Sequence, residues 1–262
     1  MKKYIISSFL RKNSDYLYGV IIIFSVMILL EIFLALFYPN HRYIIRPSIV
    51  FMQYQKAINE GLLNAMLATV LRTLLGFFIA SIIGVIMGVL IGKIKILHRI
   101  FQPIIDLFRP LPSSAIVPAA AMIIGLNQLS YIFVIVFGGV WPILISTSES
   151  VKNVDKNALA AINQLGLNPY EMLKYFILPE AISEIMAGLK ISLSVCLILA
   201  VTAEIIMGFT EGIGQYLRNV ESGGDYALMY FTIIMIAFVG LFLNTLLSFA
   251  EHHINWINCK YD

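Results

Sequence analysis

Glu31, Arg72 and Glu204 each stand inside a long apolar run, in FSVMILLEIFLALF, ATVLRTLLGFF and LAVTAEIIM. An ionised side chain costs about 2.5–3.5 kcal/mol at the centre of a hydrocarbon layer, so each of these must face protein or water. Opposite sign and matched depth predict that Arg72 and Glu204 pair, either as a packing salt bridge or as part of the lining of a polar path. Glu31 is expected at the bilayer surface or at a subunit contact rather than at a reacting centre. His41 and His98 stand alone in polar stretches, and His252 and His253 are adjacent and cannot share one helical face. With no third ligand at a metal-binding spacing, no metal site is expected. GVLIGK at 88–93 has one residue too few between its glycines for a phosphate loop. No Ser/His/Asp set or paired carboxylate stands out either, so the chain is expected to have no enzyme site and no cofactor of its own.

The elements that hold these charges are set by composition. The chain has 262 residues, 60% hydrophobic and 13% charged, with a mean hydropathy of +0.87. That excludes an ordinary soluble domain and predicts an all-α, polytopic membrane protein in a lipid bilayer. Apolar runs give six transmembrane helices, at 16–37, 68–91, 113–126, 131–146, 182–208 and 227–250. The first is too long for the core of a cleaved signal peptide. The third is short, and Pro110, Pro112 and Pro118 predict a kinked or broken helix there. Gly76, Ala80, Gly84, Gly88 and Gly92 recur every four residues, a small-residue stripe that admits a neighbouring helix. With the N-terminus in the cytoplasm, 13 of the 18 Lys and Arg fall on the inner side, which puts both termini there. The basic residues thus act as topology signals, and no nucleic-acid partner is expected. Two cysteines, Cys196 and Cys259, give no disulfide framework. The chain reads as one membrane domain, 1–262, with a cytoplasmic segment 1–15, a core 60–256 and a cytoplasmic loop 152–181.

That loop is the least apolar part of the core. Asp155 or Asn157 can cap a short helix with Leu159, Ile162 and Leu165 on one face, and Gly166 ends it. Asn168 and Pro169 start a second helix in which Tyr170, Leu173, Phe176 and Ile177 group together, and Pro179 closes it. Two surface helices joined by a turn suit either an interfacial loop packed on its own bundle or a docking site for a soluble partner.

The pattern of Gly166, twelve residues and Pro179 after Leu178, before the penultimate span, resembles the ATPase-coupling loop of permease subunits of bacterial ABC importers. ATVLRTLLGFFIASIIGVIMGVLIG (68–92), FRPLPSSAIVP (108–118) and ILPEAISEIMAGLKISLS (177–194) are similar to the sulfonate/nitrate/taurine branch of that family. The family's Glu-Ala-Ala positions are here Ala160, Ala161 and Ile162, so the glutamate is absent. The resemblance implies the type I importer permease fold in a bacterial inner membrane. It implies a homodimer with a second permease subunit, two cytoplasmic ABC ATPase subunits that hold ATP and magnesium, and a periplasmic or lipid-anchored substrate-binding protein. It also implies that Ala160, Ala161, Gly166, Pro169, Tyr170, Leu173, Ile177, Leu178 and Pro179 form the coupling loop. Arg109 matches the family's arginine-proline motif, where it either contacts an anion on the exit side or snorkels to headgroups. Substrates implied are small anions of the nitrate, bicarbonate or sulfonate/taurine type, or alternatively a pyrimidine vitamin precursor. A self-sufficient secondary transporter would want an ionisable relay, for which three intramembrane charges are sparse. The outer loop 208–227, with Gly212, Gly214, Gly223 and Gly224, is either a gate segment that meets the delivery protein or a connector.

Overall fold

Every regular element among the described residues is helical. The structure is a computed structural model and describes residues 2–39, 41–154, 168–208 and 211–258. Two compact units divide the chain, one of residues 1–60 and 220–233, the other of 61–219 and 234–262.

The smaller unit contains α1 (Lys2–Phe37), α2 (Pro47–Phe51), α3 (Tyr54–Asn59) and the start of a long last helix. Pro47 suits the first position of α2, where a missing N–H costs nothing. Arg46 at the N-cap has no side-chain acceptor to offer, and Glu31 supplies it from α1: its carboxylate accepts from Ser48 N at 3.0 Å and Ser48 Oγ at 2.7 Å. Glu31 is therefore a local cap. Lys56 Nζ lies 2.5 Å from Asp225 Oδ2, while Asp225 Oδ1 accepts from Leu228 N at 3.1 Å.

The larger unit is built on α4 (Leu62–Lys93), α7 (Gln128–Asn153) and α8 (Pro169–Met207). Gly61, at φ 87°, turns the chain into α4 in a conformation that costs other residues strain. The stripe of α4 is buried from Gly76 to Gly88, and its glycines lie on α7. A Cβ on Gly84 would stand 2.8 Å from Ile143 Cβ, and one on Gly88 2.6 Å from Thr147 Cβ. The partners Ile143, Thr147 and Val151 also recur every four residues, so two i±4 rows interlock along their length. Gly139 of α7 does the same on its other side, where Ser192 Oγ of α8 donates to its carbonyl at 2.7 Å. Tyr131, Val134, Ile135, Cys196, Leu199 and Ala203 close the core between α7 and α8.

α5 (Lys95–Phe108) and α6 (Ile116–Ile124) meet at a 78° bend across residues 109–112. Pro110 and Pro112 account for the break, since neither can donate to a continuing ladder. The break expected at the third span is present in this pair, a broken span or a re-entrant loop that begins earlier than residue 113. His98, expected in a polar loop, lies in α5, with its Nε2 2.8 Å from Lys152 Nζ of α7. α9 (Ile213–Ser222) and α10 (Tyr226–Asn258) complete the order. Among the described residues four helices are long and apolar enough to cross a membrane, or five if the bent pair is one span. The sixth expected span, 16–37, falls in α1, whose apolar part, Ile21–Phe37, is shorter than the others, so four or five candidate spans stand against the six expected.

Candidate functional site

Thr69 and Arg72 are three residues apart on α4 and so project from one face of it, toward Glu204 in the last turn of α8. Arg72 Nη1 donates to Glu204 Oε1 at 2.5 Å. Thr69 Oγ1 lies 2.9 and 2.8 Å from the two carboxylate oxygens. Its single proton goes to the carboxylate rather than to the Ala65 carbonyl at 3.1 Å, because a charged acceptor forms the stronger bond. The Thr69 oxygen in turn accepts Ile213 N at 2.8 Å, and Gly214 N donates to Glu204 Oε2 at 3.0 Å. The carboxylate therefore sits at the N-terminus of α9, where unpaired N–H groups and the helix dipole favour an anion.

The approach requires glycine. A Cβ on Gly214 would stand 2.8 Å from Glu204 Cβ, and one on Gly212 would overlap the Glu204 carboxylate. Arg72 spends its other donors nearby: Nη2 on the Glu211 carbonyl at 2.5 Å and Nε on Gln128 Oε1 at 3.0 Å. Its guanidinium lies 5.5 Å from the Tyr131 ring centroid. Glu204 is fully buried and the Arg72 side chain 11% exposed. Of the two roles open to this pair, the geometry fits the packing bridge: no face of the carboxylate is left for a passing solute. Thr69, Gln128 and Ile213 were not among the expected site residues; the three-residue offset of Thr69 from Arg72 is the signal that finds the first.

At the other end of α8, Asn168 Oδ1 accepts from Tyr170 N at 3.0 Å and Glu171 N at 2.9 Å, and Glu171 Oε2 accepts from Asn168 N at 2.9 Å. This reciprocal cap, with Pro169 in the first turn, starts the helix where expected. Lys93 Nζ donates to the Pro169 carbonyl at 3.0 Å and ties the start to the end of α4. Two expectations fail here. Pro179 does not end a helix: the chain passes through a π turn at Leu173–Ile177 and continues as Leu178–Met207. The π turn shifts the hydrogen-bond ladder just ahead of the proline, which then falls in a first turn that needs no N–H from it. Nor do the four apolar residues share one face. Leu173, Phe176 and Ile177 pack on Val151, Val154 and Ile185, whereas Tyr170 is 67% exposed. Leu178 joins the packed group and Pro179 lies beside it.

Ala160, Ala161 and Gly166 lie outside the described residues, as does the first of the two expected loop helices. Ser146, Glu149, Ser150, Asn153, Glu180 and Glu184 line a cleft of about 330 Å³ between α7 and α8. Arg109 caps the end of α5 at the bend, exposed, on an element separate from the Arg72–Glu204 pair.

Two inward-facing crystal forms of the MetNI methionine ABC transporter superpose with TM-scores of 0.62 and 0.60 at 19% and 18% identity, and the first covers 75% of this chain and 95% of its own. The chain belongs to the family of binding-protein-dependent transport system inner membrane components, whose pattern matches residues 80–255. It is thus a multi-pass inner-membrane subunit of a transporter. Similar proteins include the bicarbonate transport system permease protein CmpB of Synechocystis, 29% identical over 60% of this chain and 56% of that one. CmpB of Synechococcus elongatus is 31% identical over 62% and 57%, and the nitrate import permease protein NrtB of Leptolyngbya laminosa 29% over 61% and 57%. The match spans less than three fifths of the length of each of these relatives.

Proposed function

We propose that the chain is the pathway-forming subunit of an ATP-driven importer of a small anion of the bicarbonate or nitrate class. The observation that carries this reading is the family match over 80–255 together with relatives named for those two anions. Two copies of the chain would enclose the path, with both termini and the segment around Asn168 in the cytoplasm. Two ATPase subunits holding ATP and magnesium would grip that segment, and an external binding protein would deliver the anion. The exposed Tyr170 and Tyr175, next to a rigidly capped helix start, are suited to such a grip, because their rings give contact area at small entropic cost.

Arg72 is not the anion's binding group in this reading, since Glu204 and the Glu211 carbonyl already take its charge and donors. The acidic cleft of Glu149, Glu180 and Glu184 would repel an anion and is not its binding place either. The test is copurification from native membranes followed by uptake of labelled bicarbonate and nitrate. An ATPase that travels with the chain, and uptake that stops when residues 155–167 are deleted, are expected. Uptake by the chain alone in liposomes would replace this reading with a secondary carrier.

A further inference from the structure

We propose that Arg72 and Glu204 are positioning residues for α9, a clasp that must open before this helix can move. α9 is bound to α4 and α8 through its first two turns and through Glu211, two residues before them. Gly214 N and Ile213 N are held by Glu204 and Thr69, the Glu211 carbonyl by Arg72 Nη2, and Arg218 Nη1 returns to the Ile205 carbonyl at 3.0 Å. The polar face of α9 in this region, Arg218 and Asn219, is exposed, and its apolar anchor Ile213 is fully buried. An amphipathic helix of ten residues cannot hold itself in place by its own propensity. This anchor and the four polar ties fix the start of the helix.

Two of these ties depend on one another. Glu204 carries a charge that the N-terminus of α9 only partly compensates, and Arg72 supplies the rest. Removing Arg72 leaves a buried carboxylate short of a partner; removing Glu204 leaves the guanidinium attached only to neutral acceptors. Either change loosens α9 first, because α4, α7 and α8 keep their interlocked glycine rows without it. The role of α9 in transport rests on the importer reading, which puts this helix at the outer end of the path, where substrate arrives. The clasp itself does not rest on that reading.

Hydrogen–deuterium exchange of the purified full-length chain in lipid nanodiscs separates the two. In Glu204→Gln and Arg72→Lys, peptides covering 211–219 are expected to exchange at least tenfold faster than in the parent, while α4 and α7 peptides across Gly84 and Ile143 change less than twofold. Thr69→Val, a milder change that removes the Ile213 tie and the hydroxyl's bond to Glu204 but keeps both charges, is expected to give a threefold to fivefold effect and keeps the test available if the charge variants fail to fold. Arg72→Lys should be less affected than Arg72→Ala, since it retains the charge beside Glu204. Unchanged exchange over 211–219, or equal loosening of α4, α7 and α9, overturns the proposal. No transported solute enters this measurement, so failure of the anion reading would leave the outcome intact.

Discussion

Glu204 accepts hydrogen bonds from three kinds of donor, and only one of them is a cation. Exchanging the charges, Arg72→Glu with Glu204→Arg, therefore does not restore the site: an arginine at 204 would face the N–H of Gly214 and the positive end of α9. Breaking a buried pair from one side costs about 3–5 kcal/mol. We expect Glu204→Ala and Arg72→Ala each to fall in that range in thermal unfolding, and the exchanged double variant to be no more stable than the worse of them. A second residue-scale prediction concerns Asp225. Burial acts to raise its carboxyl, but the Lys56 ammonium and the Leu228 N–H outweigh that and hold it below the usual carboxylate value. Lys56 is held above the usual ammonium value, chiefly by its hydrogen bond to Asp225. A lowered carboxyl contributes stability that is complete above its unfolded pKa of about 3.9 and is lost as pH falls through the folded value. A raised lysine contributes stability that is complete below about 10.4 and is lost as pH rises through its own folded value. Protection of the Leu228 amide, corrected for intrinsic exchange, should hold level between these limits and weaken in acid; in Asp225→Asn the acid step should vanish. The pairing of Arg72 with Glu204 was legible from sign and depth alone. Its backbone partners were not, because nothing local in Gly212 or Gly214 says which distant side chain needs the space.

At the scale of elements, the row of small residues on α4 was readable because a four-residue repeat has one structural meaning in an apolar helix. Its partner was not, since the matching row on α7 mixes Ile, Thr and Val and has no compositional mark. Gly84→Leu is expected to destabilise by at least about 1–3 kcal/mol, the usual cost of overpacking, and to lower the thermal midpoint in nanodiscs. Gly19→Ala, where a Cβ meets nothing within 4 Å, is the control and should be neutral or better. α5 escaped the reading for a different reason. It is amphipathic, carries Pro103 and lies among basic residues, so it shows neither a long apolar run nor an uninterrupted helical pattern. The start of α8 was plain because Asn168 and Pro169 form a local signal. Its continuation past Pro179 was hidden, because a π turn has no sequence signature comparable to a cap.

For the whole molecule, the importer reading proposed above would couple the segment before Asn168 to a motor through a motif that lacks its acidic residue. If Ala160 stands where that residue grips a partner, Ala160→Glu is expected to strengthen association with the ATPase by about 0.2–1 kcal/mol, the range for an exposed ion pair, and to make it more sensitive to salt. Copurification yield at two ionic strengths measures it. The π turn at Leu173–Ile177 sets a further condition on that coupling. Each residue added to or taken from a helix rotates everything beyond it by about 100° about the axis. Deleting one residue from the turn would leave the chemistry of Tyr170 and Tyr175 unaltered and yet point Tyr170 toward a different azimuth from the membrane part of α8. On that reading, the length of this stretch, more than its composition, would set the angular phase at which a motor's force enters α8.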